Sequence, residues 1–263
     1  MSTFKDFPEF DLTGKVAIVT GGNGGIGRGI ALGLARAGAD IAIAARNEEK
    51  MAVVVKEVEA IGRRAIGVSC DVLDGDQIRR AVATTVAELG GVAILVNNAA
   101  VPSTGPPWSQ EDWDAVFAVN ARAPFIFCRA VLDPMRADGG GKIINISSGA
   151  ALLSWEPSPA YGASKAALHH LTRTLATAWA HENIQVNCIS PGVFKTAMSP
   201  LEDEQAVKWW ISKVPARRTG DPAEFAGIAV FLASKASDYL TGQIIAFDGG
   251  VTIPSLNMQR PVV

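Results

Sequence analysis

The chain has 263 residues with 24 basic and 26 acidic side chains, which give a formal net charge of −2. This length suits one α/β domain with a sizeable core. Because no block of basic residues stands out, we expect neither nucleic acid nor a membrane surface as a partner.

Targeting and metal-binding signals are missing from the composition. The polar segment Met1–Lys15 has no apolar core of a secretory signal, and no apolar run approaches the length of a membrane helix. The cysteines are far apart and form no Cys-x-x-Cys, which predicts reduced, structural thiols in a cytoplasmic protein. The histidines lack partners at metal-ligand spacing, so no metal site is predicted.

The first structural signal along the chain is an apolar, β-branched run, Val16–Thr20, that stops at a cluster of glycines. A helix-compatible pattern follows, and strand, glycine turn and helix in this order are the context of a dinucleotide-binding fingerprint. Glycines let the main chain approach a pyrophosphate, and the helix N-terminus offers it free N–H groups and a positive dipole end. We therefore expect a phosphate cradle between Gly21 and Gly27.

Short apolar runs recur along the chain, and they are nearly continuous rather than alternating, which is typical of parallel strands covered on both faces. These runs are Val16–Thr20, Ile41–Ala45, Ala65–Cys70, Ala93–Asn97, Ile143–Ser147, Ile184–Ile189 and Ile244–Phe247. The helical stretches between them include Glu48–Ala60, Gln77–Leu89, Trp113–Leu132 and Ala163–Ala180. The pattern predicts an α/β fold: a single doubly wound (Rossmann-like) parallel sheet of about seven strands with helices on both faces, in one domain over residues 1–263.

The least regular segment, residues 192–221, follows the carboxyl end of a predicted strand, where open α/β sheets bind ligands. It carries Phe194, Met198, Trp209 and Trp210 among polar residues. We interpret it as a lid over the substrate. The alternative is a surface helix pair whose tryptophans serve packing.

Tyr161 and Lys165 are the pair that points to chemistry. On a helix, residues four apart face the same side, about 6 Å apart along the axis. An ammonium so close favours the phenolate and is expected to lower the pKa of the phenol from about 10 toward neutrality. Tyr161 is therefore our candidate general acid and base at a substrate oxygen.

With these features the chain resembles the short-chain dehydrogenase/reductase family, whose motifs occur here in the family's order from about Leu12 to Gly250. The matches are Thr20, Gly21, Gly25 and Gly27 for the glycine motif, Asn97–Ala100 for Asn-Asn-Ala-Gly, Asn120, Ser148, Tyr161 with Lys165, and Pro191–Gly192 followed by Thr196. Ala100 departs from the motif, because the family has glycine there.

The resemblance implies a catalytic set and a cofactor site. The implied catalytic residues are Asn120, Ser148, Tyr161 and Lys165, with Ser147 as the rival of Ser148. The implied cofactor-binding residues are Gly21, Asn23, Gly25, Ile26, Gly27, Arg46, Asp71, Val72, Asn98, Ala99, Tyr161, Lys165, Pro191, Gly192, Val193 and Thr196. For Asp71 a turn or helix-capping role is the alternative. The family's asparagine positions a water, and its lysine also bonds the nicotinamide ribose.

The choice between NADP and NAD is expected at the end of the second strand, where an acid bonds the ribose 2′-OH of NAD and an arginine accommodates the 2′-phosphate of NADP. By alignment, Ala45 stands where NAD-dependent members carry aspartate, and Arg46 follows it. Asp40 lies at the wrong end of the strand. We therefore expect NADP(H), with NAD(H) as the alternative.

The predicted function is an NAD(P)(H)-dependent oxidoreductase that interconverts a secondary alcohol and a ketone, with a sugar, sugar acid or other small carbonyl compound as substrate. A 3-oxoacyl thioester reductase is the first alternative, and a non-catalytic dinucleotide-binding regulator is the second. The family resemblance also implies a homo-oligomer, a tetramer or a dimer. Specificity is expected from Ser154, Trp155 and Glu156 and from the lid.

Overall fold

The computed structural model describes residues 7–106, 108–154, 156, 158–199, 201 and 203–253. Within these ranges seven parallel strands form one sheet in the order β3-β2-β1-β4-β5-β6-β7. The strands are β1 (Val16–Thr20), β2 (Asp40–Ala45), β3 (Ala65–Ser69), β4 (Ile94–Asn97), β5 (Gly141–Ile146), β6 (Ile184–Pro191) and β7 (Ile244–Phe247). The predicted doubly wound parallel sheet is confirmed.

Helices connect the strands. They are α1 (Gly25–Arg36), α2 (Glu48–Ala60), α3 (Gly75–Leu89), α4 (Gln110–Phe117), α5 (Ala123–Ala130), α6 (Leu132–Ala137), α7 (Pro159–Trp179), α8 (Glu204–Lys213) and α9 (Phe225–Ala233). Single 3-10 turns occur at Pro8–Phe10, Gly149–Ala151, Ala180–Glu182, Pro222–Glu224 and Lys235–Ser237.

Two hydrophobic cores cover the two faces of the sheet, because the central strands are apolar on both sides. One core packs α1, α2 and α9 on the sheet through residues such as Leu34, Val54 and Phe225. The other packs α3, α5 and α7 through residues such as Ile78 and Phe127.

The predicted helix Trp113–Leu132 is interrupted in the structure. A π-helical turn, Ala118–Arg122, separates α4 from α5, and the N–H of Ala123 bonds the carbonyl of Ala118. By length and composition alone the stretch 110–137 could cross a bilayer, so the sequence-based expectation that no such stretch exists is wrong. Its residues Phe127 and Met135 are nevertheless buried in the core, as in the helices of a packed domain.

Helices α1 and α9 meet at one glycine, Gly33, that leaves no room for a side chain. A Cβ on Gly33 would lie 2.6 Å from both Cα and Cβ of Ala226. Gly227, in the same contact region of the sequence, has nothing within 4 Å of an added Cβ. This close contact fixes the carboxyl-terminal half of α1 against α9.

We predict opposite effects for two glycine-to-alanine changes. Gly33→Ala should lower the free energy of unfolding by about 1 to 3 kcal/mol, because the added methyl group forces the two helices apart. Gly227→Ala should raise it by about 0.5 to 1 kcal/mol, because alanine is the better helix former where space is open. Urea unfolding of both variants checks the pair, and equal effects would contradict this account of the α1–α9 contact.

Candidate active site

The carboxyl ends of β1, β4, β5 and β6 meet at one edge of the sheet, and the strand order reverses between β1 and β4. Such a reversal opens a crevice that binds ligands in doubly wound sheets. The predicted site residues Thr20, Asn97, Ser148 and Pro191 lie at or just beyond these strand ends.

The glycine turn between β1 and α1 is shaped as a cradle. Gly21 and Gly25 have φ of 62° and 50°, a region that side chains disfavour. A Cβ on Gly27 would lie 2.5 Å from Nδ2 of Asn98, so the main chain packs as closely as it can. The first N–H groups of α1 begin at this turn, and the arrangement fits the pyrophosphate of a dinucleotide.

Asn98 and Ala99 hold the cradle in shape. The Thr20 hydroxyl accepts the N–H groups of Asn98 and Ala99 at 2.9 and 3.0 Å. Nδ2 of Asn98 donates to the carbonyl oxygens of Thr20 and Gly21 at 2.9 and 3.3 Å. Ala100, where the family has glycine, does not have a positive φ, so its methyl group is tolerated.

Tyr161 lies in the first turn of α7, which begins with a proline at Pro159. Burial raises the pKa of the Tyr161 phenol, and a hydrogen bond with the Ser148 side chain lowers it in part. Oγ of Ser148 also accepts the N–H of Ala150 at 3.2 Å. The structure therefore brings Ser148 and Tyr161 together, as predicted.

Lys165 is 2% exposed, and its ammonium donates to the carbonyl oxygen of Ile146 at 2.8 Å. Its Nζ lies 5.8 Å from the centre of the Tyr161 ring. Burial lowers the pKa of Lys165 to about 8, opposed by Cys188. The expected lowering of the Tyr161 pKa by Lys165 is wrong for this structure, because desolvation of the phenol outweighs the one effect that lowers its pKa, the hydrogen bond with Ser148.

The ammonium of Lys165 has further donors to offer. It carries three N–H groups. Within the described residues, one of them donates to the carbonyl oxygen of Ile146. A buried ammonium with donors to spare at the carboxyl end of β5, on the sheet edge that also carries the cradle, fits a ligand that brings hydroxyl acceptors, as a ribose does.

Ser147 is excluded as the rival serine. Strand β5 ends at Ile146, one residue before the predicted end. The Ser147 hydroxyl donates to the carbonyl oxygen of Lys165 at 3.2 Å and is buried under α7. Ser148, the next residue along the chain, is the serine whose side chain hydrogen-bonds Tyr161.

Asn120 lies in the π-helical turn with its side chain fully occupied. Its Oδ1 accepts the N–H of Val101 at 2.9 Å, and its Nδ2 donates to the carbonyl of Val101 at 3.0 Å and to Oγ of Ser164 at 3.2 Å. The Ser164 hydroxyl in turn donates to the carbonyl of Tyr161 at 2.8 Å. Sequence reasoning missed Ser164, although it stands directly before Lys165.

Arg46 and Asn47 directly follow the carboxyl end of β2, the end at which the crevice lies. Arg46 is exposed immediately after β2, and the Asn47 side chain caps α2 by accepting the N–H of Lys50 at 2.8 Å. Asp40 lies at the opposite end of β2, where it pairs with Arg63 and Arg64. Asp40 is thus far from the crevice, as expected.

Asp71 and Val72 follow β3 and are half-buried. Oδ1 of Asp71 accepts the N–H of Leu73 at 3.0 Å, and the N–H of Asp71 bonds Oε1 of Gln77 at 2.9 Å. These contacts agree with the turn role that the sequence left open for Asp71.

The start of the segment 192–221 lies beside the glycine cradle. A Cβ on Gly25 would lie 3.3 Å from Cγ2 of Thr196. The two ends of the segment are joined, because the N–H of Gly220 donates to the carbonyl of Val193 at 2.9 Å. Thr196 is therefore close to Gly25 of the cradle, and Pro191, Gly192 and Val193 precede it on the same segment.

His169 is buried, and its Nε2 has no hydrogen-bond partner among the described residues. Burial, with help from the charges of Arg173 and Lys165, lowers the pKa of His169 to about 4, so the imidazole is neutral near pH 7. No cluster of three or more metal-ligating side chains occurs within the described part of the chain. Trp155 and the tail beyond Ile253 lie outside the described residues.

Comparisons with known proteins agree with this geometry. A family model described as enoyl-(acyl carrier protein) reductase matches residues 21–252. Gluconate 5-dehydrogenase from Gluconobacter oxydans is 38% identical, over 93% of this chain and 97% of that protein. 2-Dehydro-3-deoxy-D-gluconate 5-dehydrogenase from Escherichia coli is 41% identical, over 92% and 96%. A crystal structure of gluconate 5-dehydrogenase from Burkholderia cenocepacia in complex with NADP and tartrate is 38% identical, covers 94% of this chain and 98% of its own, and has a TM-score of 0.88.

The chain belongs to the short-chain dehydrogenase/reductase family. It is an oxidoreductase by this membership, as the sequence predicted. The residues of its candidate active site stand where the family's motifs place them.

In this short-chain dehydrogenase/reductase the buried ammonium of Lys165 should lower the free energy of unfolding at neutral pH. The pKa of Lys165 is about 8 in the folded state against 10.5 when free, so the folded protein gains stability as pH rises through that window. Lys165→Met should therefore raise the free energy of unfolding at pH 7 by up to about 3 kcal/mol. It should also abolish the increase in the free energy of unfolding that the parent protein shows between pH 8 and 10.5.

Urea unfolding at pH 7 and pH 9.5 measures this difference. Lys208→Met is the matched control, because Lys208 is exposed and pairs with Glu204 on α8. The account is wrong if Lys165→Met is less stable than the parent protein at pH 7.

Proposed function

We propose that this protein is an NADP(H)-dependent oxidoreductase that interconverts a secondary alcohol and a ketone on a sugar acid. The single observation that carries the chemistry is the meeting of Ser148, Tyr161 and Lys165 at the carboxyl end of β5, on the same sheet edge as the glycine cradle. The substrate class rests on relatives that are named for gluconate and 2-dehydro-3-deoxy-D-gluconate.

We assign the steps of proton handling to three side chains. The Ser148 hydroxyl holds the substrate oxygen by a hydrogen bond next to the phenol. Tyr161 gives its proton to that oxygen in reduction and takes it back in oxidation. The buried ammonium of Lys165 stabilises the phenolate that Tyr161 becomes. Asn120 keeps the loop at Val101 in place beside them.

The cofactor would be held by the cradle and the strand ends around it. When bound, a nicotinamide dinucleotide supplies or accepts the hydride. The chain residues that we assign to it are the cofactor set of the sequence analysis: Gly21, Asn23, Gly25, Ile26, Gly27, Arg46, Asp71, Val72, Asn98, Ala99, Tyr161, Lys165, Pro191, Gly192, Val193 and Thr196.

NADP(H) is favoured over NAD(H) by the position of Arg46. It is exposed at the end of β2, and no acid takes the place of Ala45. The relative from Burkholderia cenocepacia was crystallised with NADP.

The 3-oxoacyl thioester reductase is less well supported. An acyl-carrier protein is acidic and needs basic side chains that are free to receive it. Of the five basic side chains on the segment 192–221, four have partners within it or beside it: Lys208 pairs with Glu204, Arg218 pairs with Glu224, Lys213 lies over Trp209, and Arg217 donates to the carbonyl of Ser212. The regulator alternative is also less well supported, because the complete catalytic set is present.

Further features of the proposed protein follow from the family resemblance. The segment 192–221 acts as the lid, carried by α8 with Trp209 exposed on it. The assembly is a homo-oligomer, a tetramer or a dimer, in which the outer face of α7 near His170 contacts another subunit. The protein is cytoplasmic, which is consistent with three buried free cysteines.

Replacement of Tyr161 by phenylalanine tests the chemistry. Tyr161→Phe should lower turnover of 5-keto-D-gluconate with NADPH by about 10²- to 10⁴-fold, because the proton donor is lost. Binding of NADPH, followed by its fluorescence, should persist. Tyr239→Phe is the matched control, because this is the other tyrosine of the chain and it is fully exposed. Unchanged turnover in Tyr161→Phe would refute the assignment.

Replacement of Arg46 tests the cofactor preference. Arg46→Ala should weaken NADPH binding by about 10- to 100-fold, the range expected when a charge-assisted hydrogen bond to phosphate is lost. The affinity for NADH should stay within about two-fold, because it has no 2′-phosphate. Arg79→Ala, at an exposed arginine on α3, serves as the control. Equal losses for the two cofactors would show that Arg46 does not read the phosphate.

A further inference from the structure

The turn that follows β7 is organised by one carboxylate. Oδ1 of Asp248 accepts the N–H of Gly250 at 2.8 Å. Its Oδ2 accepts both the N–H and the hydroxyl of Thr252, at 2.9 and 2.5 Å. We call residues 248–252 the Asp248 turn. Three hydrogen bonds to one charged group make it a rigid local unit.

The Asp248 turn lies directly on the main chain at Gly192. A Cβ on Gly192 would lie 2.7 Å from Cα of Asp248 and 2.8 Å from its carbonyl oxygen. The N–H of Gly192 also donates to the carbonyl of Phe247 at 3.1 Å. The Pro191–Gly192 pair, which we assign to the cofactor, therefore rests on the turn.

A second contact reaches the segment of the candidate catalytic serine. A Cβ on Gly149 would lie 3.4 Å from Cγ2 of Thr252 and 3.5 Å from the carbonyl oxygen of Pro191. Gly149 directly follows Ser148, so the methyl group of Thr252 supports the main chain that carries the serine.

A third contact reaches the carboxyl-terminal end of the lid. The N–H of Ala216 donates to the carbonyl of Gly249 at 3.0 Å. A Cβ on Gly249 would lie 2.8 Å from Cγ1 of Val214, and one on Gly250 would lie 3.2 Å from Cγ of Pro215. Residues 214–216 are thus seated on the turn, immediately after α8 ends.

We propose that the Asp248 turn is the common support of the Ser148 segment, the Pro191–Gly192 pair and the lid, with Asp248 and Thr252 as positioning residues. No group of the turn is assigned to the reacting atoms, and its effect on turnover rests on the proposed function. Helix α7, which carries Tyr161 and Lys165, is pinned to β5 instead. A shift of the turn therefore displaces the serine and the lid relative to the tyrosine, and a displacement of about 1 Å can cost up to 100-fold in rate.

Two variants of Thr252 test the proposal. Thr252→Val keeps the size and the methyl group but removes the hydroxyl that donates to Asp248. Thr252→Ser keeps that hydroxyl. Thr177→Val is the control, because the Thr177 hydroxyl bonds Arg173 on the outer side of α7.

Hydrogen exchange of the cofactor-free protein, read by mass spectrometry, is the first measurement. The reporters are the N–H groups of Gly192 and Ala216, which bond Phe247 and Gly249, and that of Leu152, which bonds Gly149. In Thr252→Val these three should exchange about 10-fold faster, the factor for one lost charge-assisted hydrogen bond. Thr252→Ser keeps the hydroxyl but loses the methyl group beside Gly149, so it should match the parent protein at Gly192 and Ala216. The proposal would be overturned if exchange became faster only in residues 248–253. It would also be overturned if exchange became faster by the same factor throughout the sheet.

Kinetics provide the second measurement. Thr252→Val should lower kcat/KM for the sugar-acid substrate by about 10-fold, and Thr252→Ser should retain most of the parent's value because it keeps the hydroxyl that donates to Asp248. Equal losses in the two variants, or no loss in Thr252→Val, would overturn the assignment of Thr252 as a positioning residue of the serine and the lid. Absence of turnover in every protein would count against the proposed function and would leave the exchange result valid.

Discussion

The burial of one ammonium group against the end of β5 is the interaction on which the candidate active site depends. Lys165 donates to the carbonyl of Ile146, and the Ser147 hydroxyl returns a bond to the carbonyl of Lys165. Two turns further along α7, Thr172 accepts a bond from Nδ2 of Asn145 at 2.9 Å. Together these bonds fix the height of α7 relative to β5, and hence the position of Tyr161 relative to Ser148.

This arrangement has an energetic cost that the rest of the fold must offset. An ammonium inside a protein loses its hydration, which is why the pKa of Lys165 falls to about 8. Hydrophobic packing on both faces of the sheet supplies the compensating stability. A residue to which we assign stabilisation of the Tyr161 phenolate thus weakens the folded state, as functional sites commonly do.

Buried polar side chains form further hydrogen bonds around the candidate site and between the strands beneath it. Asn97 on β4 donates to Oδ1 of Asn145 on β5 at 2.9 Å, beneath the site and out of contact with solvent. On the other side of α7, Ser164 joins Asn120 to the carbonyl of Tyr161. The tyrosine helix is therefore tied through hydrogen bonds to β5 and to the π-helical turn, which limits how far the reacting side chains can move.

The sequence by itself determined the architecture, and it predicted the candidate members of the site. Nearly continuous apolar runs such as Ile41–Ala45 predict buried parallel strands, and the glycines from Gly21 to Gly27 predict the cradle, because both patterns are local. Helix spacing likewise put Tyr161 and Lys165 on one face.

Only the tertiary structure decided the electrostatics and the supports. Whether the Tyr161 pKa rises or falls depends on burial, which is set by segments far apart in the chain. The choice of Ser148 over Ser147 depended on where β5 ends against α7. The role of Asp248 could not be read from its neighbours, because its turn matters through contacts with Gly149, Gly192 and Ala216, and such contacts between distant segments leave no local pattern.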